Sequence, residues 1–205
     1  MAEIQIREQK LIQYLNEAFG KEKELETALQ AHITMAQRDA YKKRLKKHLT
    51  ETKGHARDVQ KRIKKLGGKA EAGPLPEAVL DLAAAVQTGT KKAAAAAQGP
   101  MHALRGLSPA EKQLKNAKTE YSEEHEEIAN YRAIEALAEA LGDDETAKLA
   151  RAILRDEERM ASFLEKQIVT LTKEVVREEI PSDQRKKTSR SRSRSRAKKS
   201  GSRSR

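Results

Sequence analysis

Residues 114–141 carry the apolar spacing of one long helix that packs against a core. Glu124 falls in the gap that this apolar stripe leaves between Tyr121 and Ile128, and Glu127 follows three residues later on the same side. A carboxylate that faces a core is costly unless it is paired, protonated or bound to a metal ion. The stretch therefore predicts either one wall of a carboxylate-bridged di-metal site in a four-helix bundle or an acidic helix face exposed to water. The apolar positions, which recur at steps of three and four, are Leu114, Ala117, Tyr121, Ile128, Tyr131, Ile134, Ala138 and Leu141.

The same helical period recurs along most of the chain and predicts an all-α fold of four long helices. Ser108-Pro109-Ala110-Glu111 is typical of a helix start, and Asp39 is a candidate N-cap. Gly67-Gly68, Leu141-Gly142 and Pro181 are stop signals. The predicted helices span residues 4–36 (helix A), 39–66 (helix B), 108–141 (helix C) and 143 or 144 to 180 (helix D).

Helices A and D also have an acid in the apolar seam. Glu22 lies seven residues after Leu15 and seven before Leu29, so it occupies an inward position. Glu157 is likewise inward, with Glu158 next to it. Each acid alone has an ordinary explanation, namely a residue at the edge of the core whose carboxylate turns outward to water.

Helix B places His48, Glu51 and His55 within about 60° of each other around the helix axis. A Glu and a His one turn apart put two metal ligands on one side of a helix, whereas a lone buried His is usually a hydrogen-bonded structural residue. Both interpretations stay open for this helix alone. Because acids interrupt the seams of helices A, C and D, and helix B adds a Glu with His, each near the middle of its helix, the set as a whole favours a metal site.

Residues 67–108 break the helical pattern with repeated Gly and Pro, and contain two short alanine-rich pieces at 77–87 and 90–98. A connection this long is unusual in an up-down bundle. We expect a crossover that travels the length of the bundle, so that helices B and C run parallel, as in ferritin-like topologies.

The net charge of +11 is concentrated in residues 182–205, which hold eleven Lys and Arg residues and one acid, Asp183. No apolar residue follows Ala197, so this segment is expected to be a disordered tail behind a bundle domain of residues 1–181. It is expected to contact DNA or RNA phosphates without sequence preference, to be phosphorylated on serine, or only to solubilise the chain. The candidate contact residues are Arg190, Arg192, Arg194, Arg196, Lys198 and Lys199.

The composition removes several classes of protein. The chain has no cysteine, which excludes disulfides, thiolate metal sites and cysteine nucleophiles. No apolar run is long enough to cross a membrane or to form the core of a signal peptide, so we expect a cytoplasmic protein without membrane contact. No phosphate-binding glycine loop or Ser-His-Asp arrangement is visible either.

The chain resembles the ferritin-like family of bacterial stress-associated proteins typified by YciE and YciF over about residues 11–175. The most specific part of the resemblance is the run Glu124-His125-Glu126-Glu127-Ile128-Ala129-Asn130-Tyr131. The resemblance implies a rubrerythrin-like four-helix bundle with a site for two iron or two manganese ions, and self-association as a homo-oligomer, most simply a dimer. The other stretches that carry it are residues 19–23, 48–55, 137–142 and 156–159.

The resemblance also implies a ligand set. By analogy, Glu51 and Glu127 would bridge the two ions. Glu22 and Glu157 would be terminal ligands, and His55 would be the imidazole donor. The implied ligands are Glu22, Glu51, His55, Glu124, Glu127 and one of Glu157 and Glu158.

Two positions depart from the pattern of the better-studied relatives. Those sites repeat a Glu-x-x-His pair on the fourth helix, but Ala161 follows Glu158 at that spacing. Relatives also tend to have an acid where Thr50 stands, so the acid of helix B could be shifted by one position. A site short of one nitrogen ligand would bind metal loosely, hold one ion or hold none.

Two functions are compatible with these residues. The first is a di-metal protein that acts on O₂, peroxide or stored iron during stress, with oxygen-rich coordination suited to Fe(II) or Mn(II). The second is a metal-free helical interaction protein that its tail tethers to nucleic acid. Whether the protein is an enzyme stays open at this point, because fold alone does not establish a reaction.

Overall fold

A computed structural model describes residues 5–88 and 108–185, and these residues form helices and connecting turns without any strand. The all-helical fold predicted from the periodicity is confirmed. The helices are α1 (Ile6–Met35), α2 (Asp39–Lys65), α3 (Glu77–Thr88), α4 (Pro109–Ala140) and α5 (Asp144–Glu179).

The helix ends follow the local signals with one exception. The Ser108 hydroxyl accepts a hydrogen bond from the Glu111 amide at the start of α4, and Pro109 takes the first helical position. Gly67 and Gly142 end α2 and α4 with φ angles of 86° and 68°, in the left-handed region that glycine adopts without strain. The prediction that Asp39 caps α2 is wrong by one residue, because Arg38 is the cap and Asp39 is already helical.

The four long helices form a bundle in which α1 packs against α2 and α4, and α5 packs against α4 and α2. Tyr41 near the start of α2 contacts Glu120 in the first half of α4. Arg62 near the end of α2 contacts Asp143, just after the end of α4. Therefore α2 and α4 run parallel, as the crossover predicted.

Arg62 holds the end of α2 against the turn between α4 and α5. Its guanidinium donates hydrogen bonds to Asp143 (2.6 Å), to the Thr146 hydroxyl (2.6 Å) and to Glu145 (2.7 Å). Asp143 also caps α5 by accepting a hydrogen bond from the Thr146 amide. The buried charges of this contact are paired and hydrogen-bonded, as buried ions must be.

The two larger apolar clusters of the described interior lie at different heights and leave a polar layer between them. The first, near the α4–α5 turn, contains Leu15, Val59, Tyr131 and Leu154 among others. The second, toward the opposite end, is built from residues such as Leu25, Leu45, Ala117, Met160 and Leu164. The positions between these two sets are the ones that carry the acids and histidines of the seams.

The crossover forms one helix that lies within the described residues. This helix, α3, packs against α1, and its Val79 is buried. The second alanine-rich piece, at 90–98, and the basic residues 186–205 lie outside the described ranges. Among the helices of the described part, none is long and apolar enough to cross a membrane.

Candidate metal centre

Six acidic and histidine side chains from all four long helices meet in the polar layer, and none is more than 7% exposed. They form two donor groups, in each of which the candidate ligand atoms lie within 4.8 Å of one another. The first group contains His48, Glu124, Glu127 and Glu157, and the second contains Glu22, His55 and Glu157. Glu157 of α5 is therefore common to both groups, and the two sites are adjacent.

The imidazole of His48 anchors the first donor group. Its Nε2 atom lies 2.9 Å from Oε1 of Glu124 and 3.6 Å from Oε2 of Glu157. Its other nitrogen, Nδ1, lies 3.4 Å from Oε2 of Glu51. Glu51 in turn contacts the side chains of Arg44 (2.8 Å) and Lys47 (3.1 Å).

His55 anchors the second donor group through the opposite ring nitrogen. Its Nδ1 atom lies 2.8 Å from Oε1 of Glu157 and 3.5 Å from Oε1 of Glu22. Its Nε2 atom faces outward, 3.3 Å from Oδ2 of Asp156, which pairs with Arg159. Each imidazole thus has an inner nitrogen among the buried carboxylates and an outer nitrogen on a carboxylate that a cation neutralises.

The polar atoms of the two groups are largely without hydrogen-bond partners among the described residues. Although His48 Nε2 and Glu124 Oε1 are 2.9 Å apart, their angles do not satisfy hydrogen-bond geometry, and the same holds for His55 Nδ1 and Glu157 Oε1. Atoms that point at a common ion, rather than at each other, have this arrangement. The residues therefore fit metal ligands. The orphaned atoms are Glu22 Oε2, His48 Nε2, His55 Nδ1 and both carboxylate oxygens of Glu124, Glu127 and Glu157.

Tyr131 is the tyrosine that contacts the centre directly. Its hydroxyl donates a 2.5 Å hydrogen bond to Oε1 of Glu22, which satisfies one oxygen of that carboxylate and leaves the other orphaned. Thr52, on the same face of α2, is fully buried between the two histidines, and its hydroxyl has no hydrogen-bond partner among the described residues.

The electrostatics of the centre favour bound protons or cations. Burial raises the pKa of Glu127 well above its usual range, and the carboxylates of Glu22, Glu157 and Glu124 raise it further. Burial also raises the pKa of Glu22, against the effect of His55 and Tyr131. Without an ion, the centre takes up protons when the chain folds.

The pKa values of the two histidines are raised as well. Burial by itself would lower the pKa of His48, but Glu124, Glu51 and Glu157 outweigh it and raise the pKa to about 10. Burial likewise opposes the charging of His55, whereas Glu157 and Glu22 raise its pKa to about 10. Both imidazoles therefore hold a proton at neutral pH unless a metal ion replaces it.

The structure brings five of the candidate ligands together and leaves two outside. Glu22, His55, Glu124, Glu127 and Glu157 belong to the donor groups. The carboxylate of Glu51 lies behind His48 and is held by cations of its own helix. Hydrogen bonding to His48 lowers the pKa of Glu51, and Arg44 and Lys47 lower it further against the effect of burial. Glu158 points to the surface and pairs with Arg132.

His48 belongs to the first donor group but was absent from the implied ligand set. The sequence did contain the signal, because His48 and His55 are seven residues apart and share one helix face. Asp156 was also missed as a partner of His55. Its position beside Glu157 is exposed enough that no periodicity distinguishes it from other surface acids.

The chain matches one known protein family over most of its length. The family described as a domain of unknown function, DUF892, matches residues 7–177. A search of the curated proteins finds no match.

Three solved structures illustrate the fold. A protein of Xanthomonas campestris pv. campestris superposes with a TM-score of 0.63 at 24% identity, covering 85% of this chain and 99% of that one. The Escherichia coli stress protein YciF gives 0.60 at 20% identity, with 82% and 98% covered. A ferritin-like diiron-carboxylate protein from Bacillus anthracis gives 0.58 at 18%, with 80% and 99% covered. At these identities the likeness establishes the fold, a ferritin-like helical bundle.

The metal-free protein should become less stable as the pH rises from about 5 to about 9. Glu22, Glu124, Glu127 and both histidines have raised pKa values, so the folded state binds more protons than the unfolded state. The free energy of unfolding then falls with pH, by about 1.4 kcal/mol per pH unit for each extra proton. The groups with lowered pKa values, such as Glu51 and Asp143, act below this window. Urea denaturation in EDTA at a series of pH values measures the slope.

The variant Glu127→Gln supplies the control for this slope. Glutamine cannot ionise, so the variant should be more stable than the wild type at pH 9 and should show a flatter profile. Glu158→Gln, on the exposed neighbour of Glu157, should leave the profile unchanged. A wild-type profile that is flat or rises between these pH values would contradict the buried charge assignment.

Proposed function

This chain belongs to the DUF892 family, and we propose that it binds two divalent iron or manganese ions between its four long helices. The observation that carries the proposal is the shared position of Glu157 in two adjacent donor groups. One carboxylate between two sites is the arrangement that lets two ions lie side by side. The ferritin-like fold supports the same interpretation, because dinuclear carboxylate sites occur in the cores of such bundles.

The charge count supports two ions rather than one. The donor groups contain four carboxylates and two imidazoles. Two divalent cations would neutralise the four carboxylates while both imidazoles are neutral, so the interior would carry no net charge. A single divalent cation would leave two buried negative charges, which would have to be removed by protonation.

The donor geometry supports a role for each residue. Glu157 would be shared by the two ions, His48 Nε2, Glu124 and Glu127 would hold one ion, and His55 Nδ1 and Glu22 would hold the other. Glu51, which the resemblance implied as a bridge, instead orients His48 from behind, and Asp156 does the same for His55. Tyr131 holds Glu22 in place.

The donor set also limits the chemistry. Carboxylates with two imidazoles suit Fe(II) and Mn(II), and a pair of such ions supplies two-electron exchange with O₂ or peroxide. The apolar clusters on both sides of the polar layer would exclude bulk water from that chemistry. We propose metal, oxygen or peroxide handling in the cytoplasm, during stress, by a self-associating bundle. A metal-free interaction protein is the alternative that metal analysis separates from it.

Replacing the shared carboxylate should empty both sites. After loading with Mn²⁺ or anaerobic Fe²⁺, the variant Glu157→Gln should lose about two ions per chain relative to the wild type, because both donor groups lose a ligand. Circular dichroism should show unchanged helix content, since glutamine fills the same volume. Metal analysis by mass spectrometry counts the ions.

The adjacent variant Glu158→Gln is the matched control, because Glu158 is exposed and pairs with Arg132 outside the centre. It should retain the wild-type metal content. A wild type with less than about a tenth of an equivalent of metal would reject the di-metal function and favour the metal-free interaction protein.

Glu51 and Asp156 should affect metal affinity without being ligands. Outer carboxylates fix the tautomer and orientation of a ligating imidazole, and their loss typically weakens binding about 10–100-fold. We expect weakening of this order for Glu51→Gln and Asp156→Asn with two ions still bound at saturation. Titration with Co²⁺, followed by its visible absorbance, measures both quantities. Asp58→Asn, an exposed acid on α2, is the control, and full loss of one ion in Glu51→Gln would instead make Glu51 a ligand.

We also propose that the basic segment 182–205 gives nonspecific contact with DNA or RNA, since it holds +10 of the net charge of +11. A chain that ends after Pro181 should lose salt-sensitive binding to a random-sequence duplex, measured by fluorescence anisotropy. Changing Arg190, Arg192, Arg194 and Arg196 to Gln should reduce the salt slope by about 0.9 for each phosphate that the segment then fails to neutralise. Equal binding by the truncated and full chains would refute the proposed role of the segment.

A further inference from the structure

A second buried polar cluster lies one helical turn from the proposed centre, toward the start of α4. We call it the His32 cluster, and its members are His32, Tyr41, Glu120 and Glu123. Glu120 is fully buried and lies four residues before Glu124 on the same face. Its Oε1 is 3.0 Å from Nδ1 of His32, and its Oε2 accepts a hydrogen bond from the Tyr41 hydroxyl. The assigned ligands of the di-metal centre include none of these residues.

The His32 cluster shares the contact geometry of the two donor groups. His32 Nδ1 and Glu120 Oε1 are close, yet their angles do not satisfy hydrogen-bond geometry, so both atoms are orphaned among the described residues. The same combination of a short N···O distance and two orphaned atoms occurs at His48 with Glu124. A cation that both atoms contact would satisfy them together.

The charge of the His32 cluster also points to a cation. Glu123 lies three residues after Glu120, interacts electrostatically with both His32 and Glu120, and has a buried oxygen without a hydrogen-bond partner among the described residues. His32 therefore faces two carboxylates, while Lys21, the other cation that acts on Glu123, is itself paired with Glu24 and Glu126. Buried carboxylates in excess of the nearby cations are costly unless an ion or a proton compensates them.

We propose that the His32 cluster is a third binding site for a divalent cation such as Mn²⁺. His32 Nδ1 and Glu120 Oε1 supply two protein ligands, and Glu123, three residues after Glu120 on α4, supplies a further carboxylate. The site is weaker than the di-metal centre, because among the described residues only the two donor groups there bring three His or carboxylate atoms within 4.8 Å.

Manganese binding to the full chain tests this site directly. The protein is stripped with EDTA and titrated with Mn²⁺ in equilibrium dialysis, and crystals grown with Mn²⁺ are measured at the manganese absorption edge. The variants are Glu120→Gln, which still accepts the Tyr41 hydrogen bond, and His32→Gln. Each should lose about one equivalent of the weaker class of ions and the anomalous peak between residues 32 and 120. The exposed variant Glu165→Gln should bind like the wild type.

Two further outcomes separate this proposal from the di-metal function. Glu157→Gln should lose the ions of the di-metal centre and keep the ion at the His32 cluster, even if the proposed function itself fails. Superimposable isotherms for the wild type and Glu120→Gln, with no anomalous density at His32, would overturn the proposal. His32 and Glu120 would then be a structural ion pair only, and the variant would lose thermal stability without losing metal.

Discussion

The burial of four carboxylates in one layer of the bundle is the constraint on which the rest of this structure depends. An ionised group that loses its water without compensation costs several kcal/mol, and a whole domain is stable by only about 5–15 kcal/mol. The cost of burying Glu22, Glu124, Glu127 and Glu157 must therefore be offset by other groups in the layer. Two imidazoles, the Tyr131 hydroxyl and bound protons offset part of the cost, and divalent ions would offset the remainder.

The four helices contribute unequally to the imidazoles that offset the charge of these carboxylates. Ferritin-like di-metal bundles take a Glu-x-x-His pair from each of two helices. Here Thr52 stands three residues before His55, and Met160 stands three residues after Glu157, so neither pair is complete. His48, one turn before Thr52, brings the second imidazole, and both imidazoles therefore come from α2. The two imidazoles present opposite ring nitrogens to the layer. The outer nitrogen of His48 contacts Glu51, and the outer nitrogen of His55 contacts Asp156.

Much of the fold could be predicted from the sequence because the helical period and the signals that end a helix are local. The apolar steps predicted all four long helices, and the glycines at 67 and 142 predicted where two of them end. For these features no knowledge of the neighbouring helices was needed. Periodicity placed Glu157 inward but left open whether Glu157 or Glu158 is the ligand, and the structure pairs Glu158 with Arg132 at the surface. The assignment of Glu51 is different, because His48, Glu51 and His55 lie within about 60° on α2 and periodicity cannot decide which of them points inward. Arg44 and Lys47 of α2 itself hold Glu51, whereas the inward direction of the two histidines depends on packing against α1 and α5, which α2 alone does not encode.

The helices are also packed together on both sides of the layer that contains the carboxylates. Apolar clusters lie on both sides of the polar layer, and the Arg62 contacts fix α2 against the α4–α5 turn beyond one of these clusters. Proton exchange in the layer can therefore proceed while the helices keep their positions. For the proposed ions the site would be preorganised, so their binding need not cover the entropy of folding the bundle. Neutralising one of the buried carboxylates should therefore reduce the electrostatic repulsion in the metal-free protein and leave the bundle folded.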